Sequence, residues 1–401
     1  YSDFNFANPS EKFSLENCLP SHLDHMIDFD LEVISKLHIN GYGDVGFQNS
    51  GIDSDNKNKA NTVTIGSNCE LGPSNVIITS EGELSLGEVS IEQAIYKKSG
   101  HLIISSGSSL VLEGKAILDN ASSITIQEGA ILEIRNGGEL ILRGQNSRII
   151  IEGQLIISGD VEIKCNGKFI IDENGVIDNS NNLTLIGDDE NDVLIQFKNN
   201  SNIFLEGDNI TISNGTFMYE GLNQIATVSL ESFTLNKISI IGTDNLQDIP
   251  TENFAAIKLR NNKMVTFNNL TLTKLKGYDG IHIKHLDPSE ATFEFVYGSI
   301  EDLKTGIKTL SVDNIKIESV KFLNNHNNYD GNGFEGKDSK SVLISKCKFS
   351  DYGINNSDLG NRGIGVSGIN IKSLNIDRTI FLNNGLKDFI LFIFILFFFY
   401  S

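Results

Sequence analysis

Ile315-Lys316-Ile317-Glu318-Ser319-Val320-Lys321-Phe322 is the stretch whose reading decides the fold. Apolar residues stand at its first, third, sixth and eighth positions. Period-2 alternation within each half puts these residues on one face of a short strand, and the two residues between the halves make a bend. The same pattern, with an apolar or small residue at each inward place, recurs at Ile210-Ile212-Gly215-Phe217, Phe233-Leu235-Ile238-Ile240 and Val265-Phe267-Leu270-Leu272. It recurs again at Phe293-Phe295-Gly298-Ile300, Val342-Ile344-Cys347-Phe349 and Leu374-Ile376-Thr379-Phe381. The seven copies start 23, 32, 28, 22, 27 and 32 residues apart, by subtraction of their first positions.

A third short strand precedes most copies: Ile225–Thr227, Ile257–Leu259, Ile281–Ile283, Ile307–Thr309, Phe334–Gly336 and Ile364–Val366. Three strands per turn, at roughly 20 to 30 residues per turn, describe a coil that stacks on copies of itself. One coil cannot bury its own apolar face, so the core exists only as a stack. The expected fold is all-β, a solenoid with three strands per coil. Phe217, Phe322, Phe349 and Phe381 are expected to form one internal column, with Cys347 buried beside it.

The organisation of the chain follows from its texture. Residues 1–60 read as an irregular or incomplete N-terminal segment. Within it Asp53-Ser54-Asp55-Asn56 resembles the start of a calcium loop, without the later Gly and Glu that such a loop needs. Residues 61–101 hold entry strands and a short capping helix opening at Ser90, on a Ser-x-x-Gln spacing. From 102 to 202, apolar triplets separated by short Gly and Asn turns give a short-coil helix with little room for a site. From 203 to 385 the coils lengthen and carry loops at 241–256, 323–333 and 350–363. Loops on one side of a solenoid usually carry its function. Residues 386–401 form an apolar tail, expected to stand outside the stack. Its run of twelve apolar residues, Phe389 to Tyr400, falls short of the ~20 that span a bilayer. Membrane contact therefore depends on whether that tail is native. The chain opens on Tyr1 and reads as a processed form or a fragment.

The formal net charge is -20, which argues against a nucleic-acid binder, because phosphate contacts need a basic surface. The four cysteines, Cys18, Cys69, Cys165 and Cys347, make no C-x-x-C, so neither a zinc nor a redox motif is present.

The segments Asn328–Gly333 with Val342–Phe349, and Gly363–Val366 with Leu374–Gly385, resemble the repeats of the right-handed parallel β-helix family of pectate lyases and polygalacturonases. The resemblance covers residues 100 to 385. It implies a secreted or cell-surface protein that binds or cleaves an acidic polysaccharide, by lyase- or hydrolase-like chemistry. Tyr278-Asp279-Gly280-Ile281 is similar to a polygalacturonase motif, but the Asn-Thr before it is missing. Lys304-Thr305-Gly306 stands where a second Asp pair would fall.

Aligning the third strands gives one outward column, Ala226, Lys258, His282, Lys308, Glu335 and Gly365. A second follows two residues later: Val228, Arg260, Lys284, Leu310, Lys337 and Ser367. On an acidic protein this is a basic stripe, suited to an extended polyanion. Elimination from a uronate chain needs a base, a neutraliser for the carboxylate and an acid for the leaving oxygen. The candidate bases are His282, Lys284 and Lys308. Lys258, Arg260, Lys337 and Arg362 are candidate substrate contacts. Asp279, Asp330 and Glu335 are candidate ligands for calcium, the one candidate cofactor. The alternative is a non-enzymatic surface adhesin or structural stalk. Oligomeric state is not readable from these residues.

Overall fold

The computed structural model describes residues 25–27, 30–39, 46–48, 51–52, 58–65, 68–91, 94–97, 99–243, 254–286, 290–323, 331–352, 363–382, 384 and 387–392. The coiled chain is a right-handed parallel β-helix and falls into two compact units, Tyr1–Gln196 and Phe197–Ser401.

In the first unit three columns of four- and five-residue strands stack in parallel. One runs Asn68–Leu71, His101–Ile104, Ser123–Ile126, Arg148–Ile151 and Lys168–Ile171. The second runs Asn75–Ile78, Ser109–Leu112, Ile131–Ile134, Gln154–Ile157 and Val176–Asn179. The third runs Glu83–Leu86, Lys115–Leu118, Glu139–Leu142, Val161–Cys165 and Leu183–Gly187. Alternation sends Leu102, Ile124, Ile149 and Phe169 to one level of the core, all buried. A residue's neighbours above and below are its register partners, about 4.8 Å away.

Two expectations about the entry region change. Strands begin before residue 60: Leu31–Ile39 pairs in parallel with Asn58–Ile65, Asn75–Ile78 and Glu83–Leu86. The expected capping helix at Ser90 is an antiparallel hairpin of Glu88–Ile91 with Ala94–Lys97. The Ser-x-x-Gln spacing is a weak signal. Four cross-strand residue pairs outweigh it. The Asp53 loop lies outside the described residues.

In the second unit each copy of the repeat is a bent strand: Asn209–Tyr219, Ser232–Gly242, Met264–Thr273, Thr292–Glu301 and Asn314–Leu323. The later two copies are divided between Phe334–Ser345 with Lys348–Ser350 and Ile364–Asp377 with Ile380–Leu382. All copies stack in register, so Ile212, Leu235, Phe267, Phe295, Ile317, Ile344 and Ile376 share one level. The bend has one cause throughout. The residue at the fifth position of every copy has positive φ: Asn214, Lys237, Asn269, Tyr297, Ser319, Lys346 and Arg378. One left-handed residue turns the strand through a corner between two faces. Beside it, the Asn268 amide donates to Asn236 Oδ1 at 3.0 Å.

The inward residues are buried as expected, with Gly298 and the last copy the exceptions. Leu374, Ile376, Thr379 and Phe381 are half-buried, because among the described residues no further copy packs over them. Phe322 and Phe349 stack at 4.4 Å and 7°, and Phe349 and Phe381 at 5.4 Å and 11°. Phe217 occupies the same level but not the ring stack, since Ile240, Leu272 and Ile300 intervene. The Cys347 thiol is buried and donates to Ser345 O at 3.3 Å, and burial pushes its pKa up to about 11. The apolar tail is partly inside the stack: Lys387–Phe392 pairs in parallel with Ile364–Asp377, Val366 opposite Phe389. Residues 393–401 are outside the described set.

Candidate functional site

The third strands of the second unit are Gln224–Val228, Ala255–Arg260, Asp279–Lys284 and Thr305–Leu310, continued by the starts of Phe334–Ser345 and Ile364–Asp377. Their register gives an outward column Ala226, Lys258, His282, Lys308, Glu335, Ser367 and a second column Val228, Arg260, Lys284, Leu310, Lys337, Ile369. Five levels match the sequence reading. At the sixth, Ser367 and Ile369 stand where Gly365 and Ser367 were expected, a shift of two residues. Ile364 had passed for the equivalent of Phe334. Its N–H instead donates to Asn332 Oδ1 at 2.9 Å and its carbonyl accepts from Gly333 N, so Val366 pairs with Phe334.

A repeated irregularity shapes the entry to these strands. Asp279, Thr305 and Asn332 each precede a glycine. Between Asp279 and Ile281 the ladder skips Gly280, and between Thr305 and Ile307 it skips Gly306. A Cβ on Gly280 would stand 2.5 Å from Gly306 O, and one on Gly306 2.3 Å from Gly333 O. Only glycine permits that approach. Strict alternation would send Asp279 inward with Ile281. The skipped glycine lets its carboxylate turn back along the outer side of the strand instead.

There it meets the outward column. Asp279 Oδ2 accepts from His282 Nε2 at 2.8 Å and from Lys308 Nζ at 2.8 Å. The carboxylate is 2% exposed, and Oδ1 is buried with no hydrogen-bond partner among the described residues. Burial pushes the Asp279 pKa up, but the His282 and Lys308 hydrogen bonds and charges outweigh it and hold the group below its usual value. Asp279 is therefore an anion at neutral pH. With His282 Nε2–H given to that anion, the lone pair of a neutral ring lies on Nδ1.

The three candidate bases thus separate. His282 is oriented by a carboxylate. The Lys308 ammonium is committed to that same carboxylate. Lys284 is exposed, with no acidic partner among the described residues. Lys258, Arg260 and Lys337 share that state: exposed, in register, and without an acidic partner among the described residues. Some cations on other faces of the same unit are met by carboxylates, as in Lys263–Glu231, Lys316–Glu294, Lys340–Asp313 and Lys346–Glu318, while Lys321 and Lys372 have no acidic partner among the described residues. The third-strand face gathers four such cations in two neighbouring columns.

Of the candidate calcium ligands, Asp279 is tied to His282 and Lys308. Glu335 Oε1 accepts from Asn332 Nδ2 at 2.6 Å. Asp330 and Arg362 lie outside the described residues. Among the described residues no three metal-capable side chains cluster. Two roles escaped the sequence reading: Asn332 as the residue that orients Glu335, and Asp279 as the residue that orients His282. The x-Gly pair before three of the third strands, Asp279-Gly280, Thr305-Gly306 and Asn332-Gly333, is the signal that could have found them.

No family model, curated protein or solved structure matches the chain.

Proposed function

We propose that the third-strand face of the second unit binds a linear acidic polysaccharide, and that His282 acts there as the base of an eliminative cleavage. The carrying observation is the set of four exposed cations, Lys258, Arg260, Lys284 and Lys337, in two aligned columns without acidic partners among the described residues. A chain carrying one carboxylate per sugar would meet such columns repeatedly, at the spacing of about 4.8 Å that stacked coils impose. In the proposed step Nδ1 of His282 removes the proton beside a uronate carboxylate. Its electrons form a carbon–carbon double bond, the bond to the leaving sugar oxygen breaks, and that oxygen takes a proton from water. Arg260 and Lys284 neutralise the carboxylate, and Asp279 stabilises the imidazolium. Asp279 already has its charge matched by Lys308, so activity without added calcium is the expected outcome. A protein of this kind, akin to the pectin lyase-like β-helices, would work outside the cell or at its surface.

The test is binding of polygalacturonate and related uronate polymers at low salt, with ultraviolet absorbance to follow unsaturated product. Lys284→Ala with Lys337→Ala should weaken binding at least about tenfold, and salt should weaken it further, because exposed charges are screened over about 8 Å at physiological ionic strength. Lys316→Ala with Lys346→Ala, removing cations already paired with acids, should change it little. His282→Gln should retain binding and lose product formation. Equal binding by both double variants, or no polymer bound by the parent, would discard the stripe. Binding with no product would favour a surface adhesin or stalk, a role to which the short regular coils of the first unit are also suited.

A further inference from the structure

The short-coil unit, which offers no long loop, nonetheless carries a concave site, and its origin lies in turn lengths. Four strands stack in one column: Ser123–Ile126, Arg148–Ile151, Lys168–Ile171 and Val193–Phe197. The turn leading into the second, after Leu142, has five residues (143–147). The turn into the third, after Cys165, has two (166–167). The turn into the fourth, after Gly187, has five again (188–192). A two-residue turn between two five-residue turns leaves a notch. Gly167 forms its floor, packed so close to the coil before that a Cβ would stand 2.2 Å from Ser147 O.

The notch encloses about 280 Å³ and is lined by Arg148, Lys168, Gln145, Asn146, Asn166 and Asp192, among others. Arg148 and Lys168 are register neighbours, so their charges enter from adjacent coils. Arg148 has no acidic partner among the described residues, whereas Arg135 and Arg143 of the same unit are paired with Glu113 and Asp119. Lys168 Nζ donates to Gln196 Oε1 at 3.0 Å, among its other contacts. Burial and then the Arg148 charge hold the pKa of His101 below its usual value. Three side-chain amides and one carboxylate complete the rim, a set that donates to and accepts from hydroxyl groups.

We propose that this notch is a second binding site, for a monosaccharide-sized polyhydroxylated carboxylate whose anionic group sits on Arg148. The guanidinium supplies a planar fork for the carboxylate, Lys168 adds a second positive charge, and Asn146, Asn166 and Asp192 take the hydroxyls. The site is independent of the stripe in the second unit, and its test separates the two. Titrating the full chain with D-glucuronate and D-galacturonate, followed by calorimetry or by saturation-transfer NMR, should show saturable binding of at least one. Arg148→Gln should weaken it at least tenfold while far-UV circular dichroism stays unchanged, since Arg148 is exposed. Lys284→Ala should leave it unaltered. D-glucose should bind at least tenfold more weakly, and inorganic phosphate should not displace the sugar acid at equal concentration. Unaltered binding in Arg148→Gln, glucose binding equal to glucuronate, displacement by phosphate at parity, or no saturable binding of either acid would overturn the proposal.

Discussion

Asp279 concentrates the physics of the second unit's outer face in one carboxylate. It is almost fully buried, yet it holds a charge because two donors, His282 and Lys308, converge on one oxygen. A group whose folded pKa is depressed contributes stability above its unfolded pKa, about 3.9, and loses that contribution as pH falls through the lower folded value. Asp279→Asn should therefore lower the melting temperature most at neutral pH, by the equivalent of roughly 1–3 kcal/mol. The gap between variant and parent should narrow as the pH is lowered into the acid range. A gap that held constant from about pH 7 to about pH 2 would mean that the carboxylate's charge is not what the fold uses. This residue was visible in the sequence as one that precedes a third strand. Its partners were not, because alternation assigns it to the inside, and only the skipped Gly280 reverses that.

At the scale of the element, the x-Gly entries at Gly280, Gly306 and Gly333 decide whether the site exists. Gly306→Ala would put a methyl group 2.3 Å from Gly333 O and 2.9 Å from the Phe322 ring. Neither neighbour can yield without moving a coil. The expected cost is on the order of 2 kcal/mol, as for other overpacked or strained core positions, seen as a lower denaturation midpoint. Lys308, two residues on, should lose its geometry to Asp279, so polymer cleavage should fall with stability. A Gly306→Ala protein as stable as the parent would show that the coils have more slack than the packed backbones indicate. Elements were the most legible part of this chain. Alternation marks the inward residues of every copy, and Ile315 to Phe322 is read correctly to the residue. Two elements misled for a physical reason. The Ser90 segment carries a helix-start spacing but pairs as a hairpin, because a local capping signal of about 1 kcal/mol yields to backbone pairing. Ile364-Gly365-Val366 looks like a third strand, but Ile364 is taken up at the Asn332 level, and register slips by two.

For the whole molecule, the consequential finding concerns the apolar run after Lys387. Its first residues continue the stack by pairing with Ile364–Asp377. Removing residues 387–401 would bare that strand's edge and its unpaired N–H and C=O groups, which invite pairing between molecules. The truncated chain should melt lower and form concentration-dependent oligomers on a sizing column. An unchanged melting temperature and a monodisperse peak would show that the pairing contributes nothing. Domain-scale features were legible where they repeat and opaque where they depend on comparison between coils. The notch at Gly167 is invisible to a search for long loops, since it comes from a turn shorter than its neighbours. The left-handed residue that turns each copy has a consequence of another kind. Every coil of the second unit meets the next through the same torsion, at Asn214, Lys237, Asn269, Tyr297, Ser319, Lys346 and Arg378. A gene rearrangement that duplicated or dropped the span from one such residue to the next would join compatible ends. The lineage of such a chain can therefore lengthen or shorten in whole coils, and each duplication would copy a rung of the charged face with it.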